Sequence, residues 1–254
     1  MADMKLSVKS RPLRGFLLAV KFLTRLPSPE VADFHASDLP RSAVWFPAVG
    51  ALIGLILLLA QSIAGMLGPS VGALAVLIAW VWVTGALHID GLADVADAMG
   101  AAHRDPERFL SVLRDPHIGT FGVIAVVLVL LTKLILLLEL SKTAPVWPLI
   151  LVPAWARLGV LVVSFAVPPL AAGSGERFRW EISQRMIAGN GILLVAASLY
   201  LAPALLFAVL IIFGVVLYWQ RKLGGVTGDC LGASIEVIET SLLLVLVCAK
   251  AVAG

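Results

Sequence analysis

The chain has 254 residues, of which 60% are hydrophobic and 14% charged, and its mean hydropathy is +1.01. A soluble domain carries about 25% charged residues, so a water-facing surface is excluded, and several apolar runs exceed the roughly 18 residues of a membrane-spanning candidate. The net charge of +3 does not point to nucleic acid, and two cysteines, Cys230 and Cys248, without metal or redox spacing exclude a disulfide scaffold and read as free thiols.

Residues 15–26 are amphipathic and too short to span, with Lys21 and Arg25 set among Phe16, Leu17, Leu18, Val20 and Phe22, so an interfacial helix is expected there. A cleaved signal peptide is not expected, since no small-residue cleavage site follows Leu26. The first long apolar run is 43–67; Gly68-Pro69-Ser70 breaks it, and 71–87 runs back. Two further spans, 118–140 and 146–170, are joined by a short segment around Lys142. Residues 191–219 are too long for one upright span at 1.5 Å per residue. They carry Pro203 near their middle and read, with their flanks, as two short helices meeting there. The last span is 233–252. The expectation is an all-α, polytopic integral membrane helical bundle of seven spans plus the interfacial helix. It forms a single membrane-embedded domain over 1–254, without internal repeats or low-complexity segments.

Basic residues set its orientation. Lys5, Lys9, Arg11, Arg14, Lys21, Arg25 and Arg41 precede the first long span. Arg104, Arg108 and Arg114, then Arg177, Arg179 and Arg185, then Arg221 and Lys222 occupy the long loops. By the positive-inside rule the N-terminus and these loops face the cytoplasm. Keeping Arg221 and Lys222 there requires the hairpin at Pro203.

The 16 acidic residues are not scattered. Asp90, Asp94, Asp97, Asp105, Glu107 and Asp115 fall in one stretch. The spacing of the first three puts them on one helical face, within an arc of roughly 60°. Three such carboxylates repel one another unless a cation neutralises them, and an oxygen-only set suits a hard ion such as Mg²⁺, which keeps waters and binds phosphate. A solvated helix face is the plainer alternative, but such a face mixes both signs of charge, and no base lies between Asp90 and Asp97. A second acidic face holds Asp229, Gly232 and Glu236, with Glu239 close by. Glu236 and Glu239 enter an apolar span, where a carboxylate is expected to face the bundle interior with a partner. Lys133 and Arg157 also lie inside spans. Lys133 either snorkels or pairs with Glu139; Arg157 is farther from the ends and points to an interior polar site. Both could oppose the acids or hold phosphates. His35 and His103 read as loop residues and His88 as helix-end packing, while His117 marks an interface or contacts a phosphate.

Together, Thr24-Arg25-Leu26-Pro27, His88-x-Asp90-Gly91-Leu92-Ala93-Asp94-x-x-Asp97, Asp115-Pro116-x-Ile118-Gly119 and Gly224-Gly225-x-Thr227-Gly228-Asp229-x-Leu231-Gly232-Ala233-x-x-Glu236-x-x-Glu239 resemble the cobalamin synthase family, the adenosylcobinamide-GDP ribazoletransferases. The resemblance covers nearly the whole chain in the same order. Its first acidic motif is also similar to the aspartate-rich signature of CDP-alcohol phosphotransferases. Two places depart from the pattern: His117 stands where the family more often has arginine, and Gly173-Ser174-Gly175 follows its glycine-rich loop only loosely. Arg157 corresponds to an arginine of the family.

The resemblance implies phosphoryl-group transfer at the inner, cytoplasmic membrane of a bacterium, with the active site facing the cytoplasm. α-Ribazole, or its 5′-phosphate, is joined to adenosylcobinamide-GDP; GMP leaves, and adenosylcobalamin or its 5′-phosphate results. Such a reaction needs mainly metal and positioning. Mg²⁺ is expected on Asp90, Asp94, Asp97 and Asp229, with Glu236 or Asp97 accepting the hydroxyl proton. Arg157, Arg114, His117, Thr227, Gly228, Glu239, Lys133 and Arg25 are expected to contact substrate or phosphate, with Arg104 and Arg108 as further basic candidates. The lipid bilayer is a partner, nucleic acid is not, and a homo-oligomer is left open. A CDP-alcohol phosphotransferase acting on another substrate is the nearer rival, but its arginine after the aspartate-glycine pair and its later aspartate pair are not in place. A secondary transporter would explain the intramembrane charges, yet the acids gather at helix ends and the two halves of the chain share no pattern.

Overall fold

The computed structural model describes residues 11–29, 41–102, 105–142, 146–170 and 182–253. Lys5, Lys9, His35, His103, Arg104, Gly173-Ser174-Gly175, Arg177 and Arg179 lie outside them. The described residues are helices and turns without a strand, apart from an isolated bridge between Pro169 and Val226.

Helix α1 (Arg11–Leu23) starts four residues before the expected 15–26, because Pro12 is tolerated in a first turn whose N–H groups need no partner. It buries Leu18, Ala19, Val20 and Leu23 and packs on α2 (Phe46–Ala64). A 3-10 turn precedes α2 and another follows it, so the continuous helical run is Ala43–Leu67, as expected. Helix α3 (Pro69–Thr84) returns. Gly85 at φ 62° and Ala86 at φ 59° then turn the chain, and α4 (Leu87–Ala102) leaves at 85° to α3. The span expected over 71–87 therefore stops at Thr84. The acidic helix stands almost perpendicular to that span. Short α5 (Pro106–Val112) is capped by Asp105, whose Oδ1 accepts the N–H groups of Glu107 and Arg108.

Next come α6 (Thr120–Ser141) and α7 (Leu151–Ala166), then α8 (Gln184–Leu201), α9 (Ala208–Lys222) and α10 (Gly228–Ala253). The break between α8 and α9 falls at Ala202 and Pro203, where the missing N–H of proline was expected to interrupt the helix. Both arms line one apolar cavity of about 800 Å³ over α7.

Five helical runs are long and apolar enough to cross a membrane: Ala43–Leu67, Thr120–Ser141, Trp147–Ala166, Pro203–Lys222 and Gly228–Val252; counting the bent pair α3–α4 makes six. Of the expected seven, α3 is counted only together with α4, and α8, which carries Gln184, Arg185 and Asn190, is not among these runs. The chain is a multi-pass, all-helical membrane protein.

Helix α7 is its hub. Of its spanning window 78% is buried, against 22% for α6. It meets α2 closely: a Cβ at Gly50 would stand 2.6 Å from Ala154 Cα, the close approach that small residues permit between membrane helices. Polar pins tie it and its neighbours together, Trp155 Nε1 donating to Ser198 Oγ at 2.9 Å and Trp219 Nε1 to Ser234 Oγ at 2.8 Å.

Candidate functional site

The two acidic segments meet. Helices α4 and α10 make the most extensive contact of any pair, and they cross backbone to backbone. A Cβ at Gly91 would lie 3.0 Å from the carbonyl oxygen of Asp229, and one at Gly232 would lie 3.4 Å from His88 Cα. A side chain at Gly91 would crowd the Asp229 backbone, while one at Gly232 would make ordinary contact; the close approach at Gly91 brings Asp229, in the first turn of α10, beside the acidic face of α4.

Asp90 is exposed, while Asp94, Asp97 and Asp229 are half-buried. Burial foremost, together with the charges of Asp90, Asp229 and Asp97, pushes the Asp94 carboxyl up to about 6. Among the described residues, Asp90, Asp94 and Asp229 enter no ion pair. Among the described residues, no group of three His, Cys, Asp or Glu side chains is already arranged to grip an ion. The donor chemistry nonetheless fits Mg²⁺: the set is all oxygen and electrostatically uncompensated, and Mg²⁺ binds through one or two carboxylates plus waters and phosphates, without a full protein cage.

Asp97 has an additional task that the spacing did not reveal. Its Oδ2 accepts the N–H of Gly119 at 2.7 Å and its Oδ1 that of Gly122 at 2.8 Å. The carboxylate thus caps the positive end of α6 from a neighbouring helix. This gives the Asp115-Pro116-x-Ile118-Gly119 motif a structural reason: its Gly119 delivers one side-chain-free amide to Asp97, and Gly122, three residues on, delivers the other. Within the motif, His117 is exposed and donates its backbone N–H to Asp115 Oδ1 at 3.0 Å, its Nδ1 lying 2.6 Å from the same oxygen. These bonds hold the Asp115 carboxyl below the usual range. Arg114 is exposed beside it. Thr227 caps α10, its Oγ1 accepting the N–H of Cys230 at 3.3 Å, and Gly228 opens the helix with free space around it. The N–H of Arg25 bonds Val83 O at 2.7 Å, and its side chain packs on Gly85 at the α3–α4 bend.

The intramembrane charges form a second, buried cluster. Lys133 Nζ donates to Glu236 Oε2 and Glu239 Oε2, both at 2.7 Å, and lies 4.6 Å from the Trp80 ring centre. Arg157 pairs with Glu239 Oε1, and its second amino nitrogen lies 3.3 Å from His88 Nδ1. All five groups are buried. Two cations face two carboxylates, which closes the charge balance that burial demands. Lys133 neither snorkels nor meets Glu139, since six residues put them about 120° apart around the helix; Glu139 pairs with Lys142 at 2.6 Å. His88, read from the sequence as helix-end packing, is the member whose tie to this network the sequence did not show. Its signal was the intramembrane charge count combined with its place one turn before Gly91 and Gly232's crossing.

A model of the cobalamin-5-phosphate synthase family matches residues 15–247. The adenosylcobinamide-GDP ribazoletransferase of Thiobacillus denitrificans is 48% identical, covering 91% of this chain and 94% of its own. Those of Laribacter hongkongensis, 47% identical over 93% and 98%, and Novosphingobium aromaticivorans, 49% identical over 91% and 95%, are similarly related. No solved structure matches. With these matches spanning both acidic segments and the intramembrane charges, the chain belongs to the cobalamin-5-phosphate synthase family.

Proposed function

We propose that this chain is an adenosylcobinamide-GDP ribazoletransferase of a bacterial inner membrane, with its N-terminus and active site on the cytoplasmic side. In a chain of this family, the observation that carries the reading is the crossing of α4 and α10, which brings Asp229 to the face of Asp90, Asp94 and Asp97. A hydroxyl oxygen of α-ribazole, or of its 5′-phosphate, forms a bond to the phosphorus on the cobinamide side of the diphosphate. The bond from that phosphorus to the bridging oxygen breaks, and GMP leaves with the electron pair. The hydroxyl proton passes to a carboxylate of the cluster.

Asp90, Asp94, Asp97 and Asp229 would hold Mg²⁺, which would neutralise the diphosphate as charge moves onto the leaving group. Thr227 and Gly228 present the N-terminal amides of α10, a natural anion site. Because Asp97 ties the start of α6 to α4, Arg114 and His117 stay near the acidic helix, and with Arg25 at the bend they supply phosphate contacts. Glu236, Glu239, Lys133 and Arg157 act from beneath: their closed charge balance holds α6, α7 and α10 in place below the acids.

The test is product formation by purified protein in detergent, given adenosylcobinamide-GDP and α-ribazole, with and without Mg²⁺, beside Asp94→Asn. Metal-dependent cobalamin and GMP, lost in the variant, are expected. Full activity in Asp94→Asn would move the metal site elsewhere; no product from folded wild-type protein would overturn the reaction.

A further inference from the structure

We infer that His88 is a positioning residue, linking the buried charge network to the acidic helix so that Asp90, Asp94 and Asp97 meet Asp229. The inference rests on the metal-site reading above and extends it to a residue that touches neither substrate nor ion.

The bend between α3 and α4 is not a conformation the chain adopts freely. Gly85 takes a left-handed φ at no steric penalty, but Ala86 at φ 59° does not; a non-glycine residue there costs of order 1 kcal/mol or more. Such a backbone persists only where its surroundings over-determine it. On one side the Arg25 side chain packs on Gly85. On the other, one residue into α4, stands His88.

The ring of His88 is held by a single polar contact among the described residues. A guanidinium only donates, so the 3.3 Å contact between Arg157 and Nδ1 makes Nδ1 the acceptor and leaves the ring proton on Nε2. That Nε2 is buried without a partner among the described residues. Arg157 is in turn fixed by Glu239, and Glu239 by Lys133. The chain of contacts thus runs from α6 through α10 and α7 to the first turn of α4. His88 Cα also lies against the position a Cβ would take at Gly232, beside the Gly91–Asp229 crossing. Rotation of α4 about its axis would break the Arg157–His88 contact and carry the three aspartates away from Asp229. The fully buried Arg157 is therefore the anchor, His88 the arm, and the acidic face the load. Groups that orient a metal site from outside it are worth about 10- to 100-fold in metal affinity or activity.

The test compares wild type, His88→Phe and His88→Asn, purified in detergent. Asparagine keeps an acceptor at nearly the reach of Nδ1, and phenylalanine keeps the bulk without the acceptor. Mn²⁺ binding, read by electron paramagnetic resonance, reports on the acids without turnover. Steady-state product formation at varied Mg²⁺ reports on the reaction. In His88→Phe, Mn²⁺ affinity is expected to fall about tenfold and the half-saturating Mg²⁺ to rise in step. The KM for α-ribazole at saturating Mg²⁺ is expected to change less than twofold, and His88→Asn to recover most of the loss. Unchanged Mn²⁺ binding in His88→Phe, or equal loss in both variants, would overturn the positioning role. So would wild-type protein that binds no Mn²⁺. Wild type that binds Mn²⁺ yet makes no product would overturn the reaction, while the affinities of the variants would still decide the role of His88. If His88→Phe does not fold, His88→Leu and Arg157→Lys give the same comparison through Mn²⁺ affinity alone.

Discussion

Asp94 and Asp97 lie three residues apart on one helix, and their surroundings give them different duties. Asp97 spends both oxygens on the amides of Gly119 and Gly122, whereas Asp94 has neighbouring carboxylates and no ion-pair partner among the described residues. Asp97→Asn leaves one of those amides facing an NH₂ group, and a loss of about 1–3 kcal/mol is expected, measured as a lower unfolding temperature in detergent. Asp94→Asn removes mutual repulsion, so its unfolding temperature should hold or rise while product formation falls by about 100-fold or more. Acidity gives a further check. A raised carboxyl pKa means that the metal-free fold favours the neutral acid: the stability contribution of Asp94 is present below its ordinary value and is lost as pH rises through about 6. Metal binding has the opposite sign, since only the ionised carboxylate is a ligand. The half-saturating Mg²⁺ should climb as pH drops through about 6 and stay level above it.

At the scale of helices, two contacts govern the site. The α4–α10 crossing depends on Gly91, where a Cβ would press on the Asp229 backbone at 3.0–3.1 Å. Gly91→Val should force the helices apart, at about 1–3 kcal/mol for overpacking, and should lower product formation more than it lowers protein yield. The second contact is the ion network joining α6, α7 and α10. Glu239→Gln strands the buried Arg157 charge and should cost about 3–5 kcal/mol, seen as failure to accumulate in membranes. Lys133→Met should behave likewise, but Lys133→Met combined with Glu236→Gln removes one charge of each sign and should recover part of the loss. A double variant no better than the singles would show that the pair acts independently of charge balance.

For the whole molecule, the path of α8 and α9 decides which side of the bilayer carries the α9–α10 turn. Both arms line the same cavity over α7, so a hairpin at Pro203 brings Lys222 back to the side where α8 began. In protein with Cys230 and Cys248 replaced by serine, single cysteines at Lys222 and Ser111 should react with an impermeant maleimide from one side of the membrane. A cysteine at Ser70 should react from the other. Labelling of the Lys222 position from the Ser70 side would make α8 and α9 one continuous crossing and would separate the two acidic segments across the bilayer, contrary to their contact.

Much of this architecture was already determined by the chain itself. Apolar runs longer than a bilayer can come only from spanning helices, because a backbone in lipid must satisfy its own hydrogen bonds; the break at Pro203 follows from a missing N–H. The spacing of Asp90, Asp94 and Asp97 is a local property of a helix and needs no tertiary contact. Tertiary structure decided the rest. The turn of α4 away from α3 is set by two left-handed residues, one of them an alanine that no propensity would place there. The choice of Glu236 and Glu239 over Glu139 as partners of Lys133 spans more than 100 positions of sequence, and so does not show in any local pattern. The capping of α6 by Asp97 and the grip of Arg157 on His88 arise in the same way. Each is a pairing between elements, fixed by how the helices pack, and packing is a property of the assembled bundle.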